Sequence, residues 1–351
     1  MKIAPIIYLI GMLLCILSLF MMIPALVDWF YGNDDWPAFV GSSFITLFVG
    51  SVCFLSNKGI VTEHLELRQA FLLTNSAWLS IALFGSLPFM FSEINMSFVD
   101  AIFESTSGIT TTGATVINDL DSTSHGILIW RALLQWLGGV GIIVMALAVL
   151  PMLSIGGMQL FKTESYETPD KVVPKAASFA AGISLVYISL TSIWSLMLWV
   201  AGMPVFDSIA HAMTTLATGG YSTKSASLAA FNSSTIEIIV IFGMIVGSLP
   251  FVHYLSITKN GFKNLIKDDQ VKLFLSLIIV VVLMISIYLS FQNIPFSEAI
   301  RLASFNVISI ITGTGFGTSD FNNWGGFPTT ILLILMFVGG CAGSTTCGLR
   351  M

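Results

Sequence analysis

The sequence predicts an all-α polytopic membrane protein, and three observations carry that expectation. The chain of 351 residues is 55% hydrophobic and only 9% charged, with a mean hydropathy of +0.90, outside the range of soluble domains. Its apolar residues fall in runs that approach or exceed the roughly 20 residues a helix needs to cross a bilayer. Three short segments built of Thr, Gly and Ala recur, each after an apolar span and a short amphipathic stretch.

Eight apolar windows follow one another, at 5–27, 38–56, 70–91, 127–150, 178–202, 235–257, 271–291 and 328–342, the last interrupted by glycines. The first begins Met1-Lys2 but is too long for a signal peptide and lacks a small-residue cleavage site, so it reads as a retained span. Residues 1–60 are therefore expected to form a peripheral helix pair, joined by the turn Gly32-Asn33-Asp34-Asp35-Trp36-Pro37.

Loop charge sets the expected orientation. One set of alternating loops holds Lys2, Lys58, Arg68, Lys162, Lys171, Lys175, Lys259, Lys263, Lys267, Lys272 and Arg350, which places these loops and the N-terminus on the cytoplasmic side. The opposite side has only Arg131, Lys224 and Arg301 against twelve acidic residues, among them Asp34, Asp35, Glu93, Asp100, Asp119 and Asp207. Two readings fit: an acidic face that concentrates cations, or an outer face emptied of basic residues by the positive-inside bias alone.

Counting back from the central glycine of each small-residue segment reveals the repeat. Asp100 lies 13 residues before Gly113 and Asp207 lies 13 before Gly220, and the intervening stretches suit a re-entrant helix that stops at mid-membrane. In the third copy Leu302 holds the Asp position and Ser297-Glu298 starts the helix earlier, so this helix is expected to be a turn longer. Asp100 and Asp207 read first as helix N-terminal caps, and His211 as a packed helix residue. The fold is thus an N-terminal helix pair followed by parallel repeats of span, half-helix, filter segment and span around a central pore. The repeats fall at 61–165, 166–265 and 266–351, three of an expected four.

The recurring segments are the candidate cation ligands: Thr110, Thr111, Thr112 and Gly113; Ala217, Thr218, Gly219 and Gly220; Thr312, Gly313, Thr314 and Gly315. A dehydrated ion must be ringed by backbone carbonyls, which demands small side chains and glycine at unusual dihedrals. A half-helix ending there also directs the negative end of its dipole at the ion.

After the third segment the last span breaks into Gly339, Gly340, Cys341, Ala342, Gly343, Ser344, Thr345, Thr346, Cys347 and Gly348. Ten residues with four glycines and no large side chain cannot hold a stable helix, and at membrane depth they must face protein or a water-filled cavity. This is the expected gate, a flexible loop beneath the filter, with a packing notch for a neighbouring helix as the competing reading. By contrast, the glycines of Trp136-Leu137-Gly138-Gly139-Val140-Gly141 and of residues 242–248 read as close helix packing. An enzyme is not expected, because the intramembrane stretches hold no paired carboxylates, no Ser/His/Asp set and no metal cluster. Cys15, Cys53, Cys341 and Cys347 read as small hydrophobes.

Ser107-Gly108-Ile109-Thr110-Thr111-Thr112-Gly113-Ala114-Thr115, Thr314-Gly315-Phe316 and Gly339-Gly340-Cys341-Ala342-Gly343-Ser344-Thr345-Thr346 resemble the Trk/Ktr/HKT superfamily of potassium transporters, and the extra helix pair resembles its TrkH branch. The resemblance implies a potassium-selective pore subunit of a bacterial inner membrane, with K+ as transported ion and no covalent cofactor. It further implies a gating loop in the third repeat, a homodimer, and a cytoplasmic TrkA-type nucleotide-binding ring as partner, with no nucleic acid. Two departures stand out: Cys347 replaces the usual glycine, and the chain ends at Met351, before the family's fourth filter and its pore-facing Arg. The sequence is accordingly expected to be part of a longer protein. The alternatives are a non-conducting regulatory membrane subunit and a cation symporter of poor K+/Na+ selectivity.

Overall fold

The computed structural model describes residues 3–58, 67–149, 172–261 and 263–350; Lys2, His64, Lys162 and Lys171 fall outside them. The described chain is helical, with one isolated bridge between Val338 and Leu349. Five helices among the described residues are long and apolar enough to cross a membrane: Ala4–Tyr31, Trp36–Ser56, Arg68–Phe91, Ala180–Val200 and Asp269–Phe291. Large side chains such as Phe44, Leu79 and Phe291 stand exposed along them, as lipid-facing surfaces do.

The chain divides into two compact units, Met1–Thr110 with Ala114–Leu134, and Thr111–Gly113 with Gln135–Met351. The first holds α1 (Ala4–Tyr31), α2 (Trp36–Ser56), α3 (Leu67–Gly85), α4 (Leu87–Phe91), α5 (Phe98–Ile109) and the start of α6 (His125–Val149). Helices α1 and α2 pack backbone to backbone: a Cβ on Gly11 would meet the Gly50 carbonyl oxygen at 2.8 Å, so only glycine fits. The buried Asp28 near the end of α1 accepts from Asn33 Nδ2 at 2.8 Å and from the Gly126 N–H. Where Pro88 follows the break between α3 and α4, Trp130 Nε1 donates to the freed Gly85 carbonyl at 3.0 Å.

The second unit contains α7 (Val172–Val200), α8 (Val205–Leu216), α9 (Ser234–Gly247), α10 (Phe251–Asn260), α11 (Lys263–Lys267), α12 (Asp269–Phe291), α13 (Phe296–Ile311) and α14 (Gly326–Leu335). Phe274, Ile285, Phe305, Val307, Leu332 and Cys341 are buried together at its core. Of the glycines expected to serve close packing, Gly139 and Gly243 do so: a Cβ on Gly139 would press on the Tyr187 hydroxyl and Ala217, and one on Gly243 on Trp194 and Thr215.

Among the windows read as continuous spans the sixth is broken, and the last is interrupted as expected. The sixth, expected at 235–257, breaks after Gly247, because Pro250 has no N–H to continue the ladder. The eighth, expected at 328–342, ends at Leu335; Leu349 donates its N–H to the Phe337 carbonyl at 3.0 Å and accepts from Gly339 N–H at 2.8 Å. The two breaks meet: the carbonyls of Gly247 and Ser248 accept from the N–H groups of Thr345 and Cys341, at 3.2 and 3.1 Å.

Candidate cation pathway

Each half-helix ends at the first residue of its predicted segment, with Thr110, Ala217 and Thr312 as C-caps of α5, α8 and α13. Helices α5 and α8 have 12 residues and α13 has 16, the extra turn expected of the third copy. Beyond the caps, positive φ recurs at matched positions: Thr111 (57°) and Gly113 (81°), Thr218 (49°) and Gly220 (75°), Gly313 (69°) and Gly315 (80°). The intervening Thr112, Gly219 and Thr314 do not share it. Alternating the sign of φ lets successive carbonyls face one side, where a strand would alternate them. A β-branched Thr in this region is strained, and strain held in place clusters at functional sites.

The segments lie against one another in chain order. A Cβ on Gly113 would collide with the Gly219 carbonyl oxygen, and one on Gly220 with the Thr314 carbonyl oxygen; Gly315 has nothing within 4 Å. Gly219 and Thr314 are register equivalents, each one residue before its central glycine. The Gly219 carbonyl also accepts from Gln135 Nε2 of α6 at 2.6 Å, while Gln135 Oε1 accepts from the Tyr221 N–H at 3.0 Å.

Nine residues before each central glycine stands a buried polar residue, which the composition of the half-helices hid because its identity changes: Glu104, His211 and Asn306. Each holds the chain that leaves its candidate segment. Glu104 accepts from Thr115 Oγ1 at 2.9 Å and from Val116 N–H at 3.0 Å; His211 Nε2 meets Ser222 Oγ at 3.0 Å; Asn306 Nδ2 donates to Ser319 Oγ at 3.2 Å. Glu104 is also paired with Arg131 of α6 at 2.7 Å, with both side chains buried. Asp100 is not itself the N-cap: Ser97 is, accepting from Asp100 N–H at 3.2 Å, and Asp100 lies in the first turn. Pro204 holds the cap position of α8, and Asp207 accepts from Thr223 Oγ1 at 2.6 Å. Within the first unit, Asp34, Asp35, Glu93, Asp100 and Asp119 line a cavity of about 760 Å3.

The predicted gate residues form a single bonded loop, not the loose one expected. Thr345 Oγ1 lies 3.0 Å from the Leu216 carbonyl at the end of α8 and 2.9 Å from that of Gly247. Ser344 Oγ donates to the Cys341 carbonyl at 2.7 Å, and Gly340 N–H to Thr346 Oγ1 at 3.2 Å. Ala342 N–H donates to Gln270 Oε1 at 3.1 Å, and the Gly343 carbonyl accepts from Phe251 N–H at 3.0 Å. Cys347 Sγ sits 3.9 Å from Thr111 Oγ1 in the first candidate segment. The tethers come from residues distant in sequence, Leu216, Gly247, Ser248, Phe251 and Gln270, which no pattern within residues 339–348 announces.

Half-helices that run into segments of alternating φ, among long apolar helices, define a helical membrane protein. The comparisons with known proteins place it further. Residues 36–351 match the family model TrkH, described as cation transport protein, and the chain belongs to that family. It is 40% identical over 348 residues to the Trk system potassium uptake protein TrkH of Salmonella typhimurium, covering 97% of this chain and 72% of that one. The Trk system potassium uptake protein TrkI of Halomonas elongata is 37% identical over 350 residues, 99% of this chain and 71% of its own. The crystal structure of the potassium transporter TrkH from Vibrio parahaemolyticus superimposes with a TM-score of 0.91 at 36% identity, covering 100% of this chain and 73% of that chain. The protein is a multi-pass membrane protein of this family.

Proposed function

We propose that the chain takes up potassium, as its relatives' names state of them, through a filter made by backbone carbonyls of residues 110–113, 217–220 and 312–315. The observation that carries this reading is the matched pair of positive-φ residues in three segments, with the central glycines of the first two, Gly113 and Gly220, abutting the next segment's carbonyl. Such a ring replaces the hydration shell of a cation while excluding side chains from the path. The proposal divides the chain into a helix pair at 1–60 and pore repeats at 61–165, 166–265 and 266–351, with a fourth repeat completing the ring.

In this reading residues 339–348 are the gate. Their side chains are too small to plug a pore, so closure comes from backbone and hydroxyls held across the path by the tethers to Leu216, Gly247, Ser248 and Gln270. The chain lies in a bacterial inner membrane as a homodimer with its N-terminus inside. A cytoplasmic TrkA-type nucleotide-binding ring docks on the basic inner segments 162–175 and 259–272 and moves the loop. The test is rubidium uptake into liposomes bearing the purified full-length protein. Saturable uptake that potassium competes for and sodium does not supports the reading, and liposomes no leakier than protein-free ones refute it.

A further inference from the structure

We infer that Gln135 is a selectivity-determining positioning residue: its amide fixes the Gly219 carbonyl of the second filter segment. This deepens the proposed filter and rests on it. Gln135 is fully buried on α6 and contributes nothing to the filter backbone itself. Its amide spans two successive peptide units, donating Nε2–H to the Gly219 carbonyl at 2.6 Å and accepting the Tyr221 N–H on Oε1 at 3.0 Å. The orientation of the amide is forced, since a backbone N–H only donates and a carbonyl only accepts. The fit is close: a Cβ on Gly219 would run into the Gln135 amide carbon.

The need for such a clamp is local. The peptide unit between Gly219 and Gly220 has no Cβ on either side, so it rotates more freely than any other in the three segments. A free carbonyl swings inward to a smaller ion, and that adaptation is what lets sodium compete with potassium. Held by Gln135 on one side and stopped by the Cα of Gly113 on the other, the Gly219 carbonyl has no such freedom. The donor also shares the carbonyl's electron density, weakening its field at the ion, and a weaker field favours the larger cation. Residues 112 and 314 need no equivalent amide, because Thr112 and Thr314 carry side chains that restrict their own peptide units.

The test compares Gln135→Met, which keeps length and loses both bonds, with Gln135→Glu, which keeps the acceptor for Tyr221 and loses the amide donor. Potassium over sodium preference and melting temperature are measured for both in the full-length protein in liposomes, beside Gly220→Ser as a filter control. The expected result is a folded Met variant whose preference falls about tenfold, the scale set by one buried hydrogen bond left unmade, with the Glu variant falling as well. Wild-type preference in a folded Met variant overturns the inference, and so does reduced flux with preference intact. If the Met variant does not fold, the Glu variant is read by the same rule. Gly220→Ser separates the two levels: a shift there with none at Gln135 removes only this inference, whereas no shift at either removes the filter itself.

Discussion

The hydroxyl of Thr218 donates to that of Thr345 across 3.1 Å, joining the segment 217–220 directly to the loop 339–348. Thr345 in turn has one proton to give to the Leu216 or the Gly247 carbonyl, so the segment 217–220, the end of α8 and the broken span after α9 all meet at one buried side chain. Removing that hydroxyl is therefore the mildest way to loosen the loop. Thr345→Val keeps the shape and leaves the Thr218 hydroxyl and one of the two carbonyls a partner short, at a cost of about 1–3 kcal/mol. Rubidium flux without any partner protein should rise, together with a lower melting temperature. A Val variant that melts early while its flux stays at the wild-type level would favour the packing notch over the gate.

The Glu104–Arg131 pair makes a separate prediction about stability. Both side chains are buried, so truncating one leaves an uncompensated charge, at about 3–5 kcal/mol. Arg131→Met should lower the melting temperature strongly, and adding Glu104→Gln should recover part of the loss. Thermal denaturation of the two single variants and the double variant measures this coupling; additive losses would show that the pair does not act as a unit.

Acid sensitivity is expected at the start of α12. Partial burial pushes the Asp268 carboxyl up, but its hydrogen bonds with His253 and with the N–H groups of Gln270 and Val271 outweigh that and hold it below the usual carboxylate range. The His253 Nε2 to Asp268 Oδ2 distance is 2.7 Å. A carboxyl depressed in the folded state stabilises it above its unfolded value and loses that contribution as pH falls through the folded one. Asp268→Asn should thus lower the melting temperature at pH 7, by the equivalent of about 1 kcal/mol. The difference from wild type should vanish well below about pH 4. A deficit that persists unchanged in acid would mean that the charge is irrelevant.

Much of this was legible in the sequence because it is written in spacing. Thirteen residues from Asp100 to Gly113 and from Asp207 to Gly220 fixed the register, and the dihedrals repeat in that register. The earlier start of the third half-helix likewise followed from Ser297-Glu298. The break after Gly247 escaped because a hydropathy window sums over Pro250 instead of stopping at it. The loop's anchorage was hidden for another reason: Thr345 and its partner Gly247 are 98 residues apart, and a hydroxyl within a run of small residues does not reveal what it bonds. Gln135 left one usable sign, a lone amide within an apolar span, where a polar group is costly unless it has a task. Glu104, His211 and Asn306 share a position and a job but no chemistry, so only the register exposes them.

The central claim is that the packed glycines shape a filter, and the most direct measurement is sodium competition with rubidium uptake in Gly113→Ser, Gly220→Ser and Gly315→Ser. All three positions have positive φ, where any side chain costs about 1–2 kcal/mol. At Gly113 and Gly220 the new Cβ also drives into a neighbouring segment's carbonyl, and at Gly315 it meets nothing within 4 Å. The account predicts that sodium competes about tenfold better or more in the first two variants, and only weakly better in the third. Folded, conducting Gly113→Ser and Gly220→Ser proteins with wild-type preference for rubidium over sodium would contradict it.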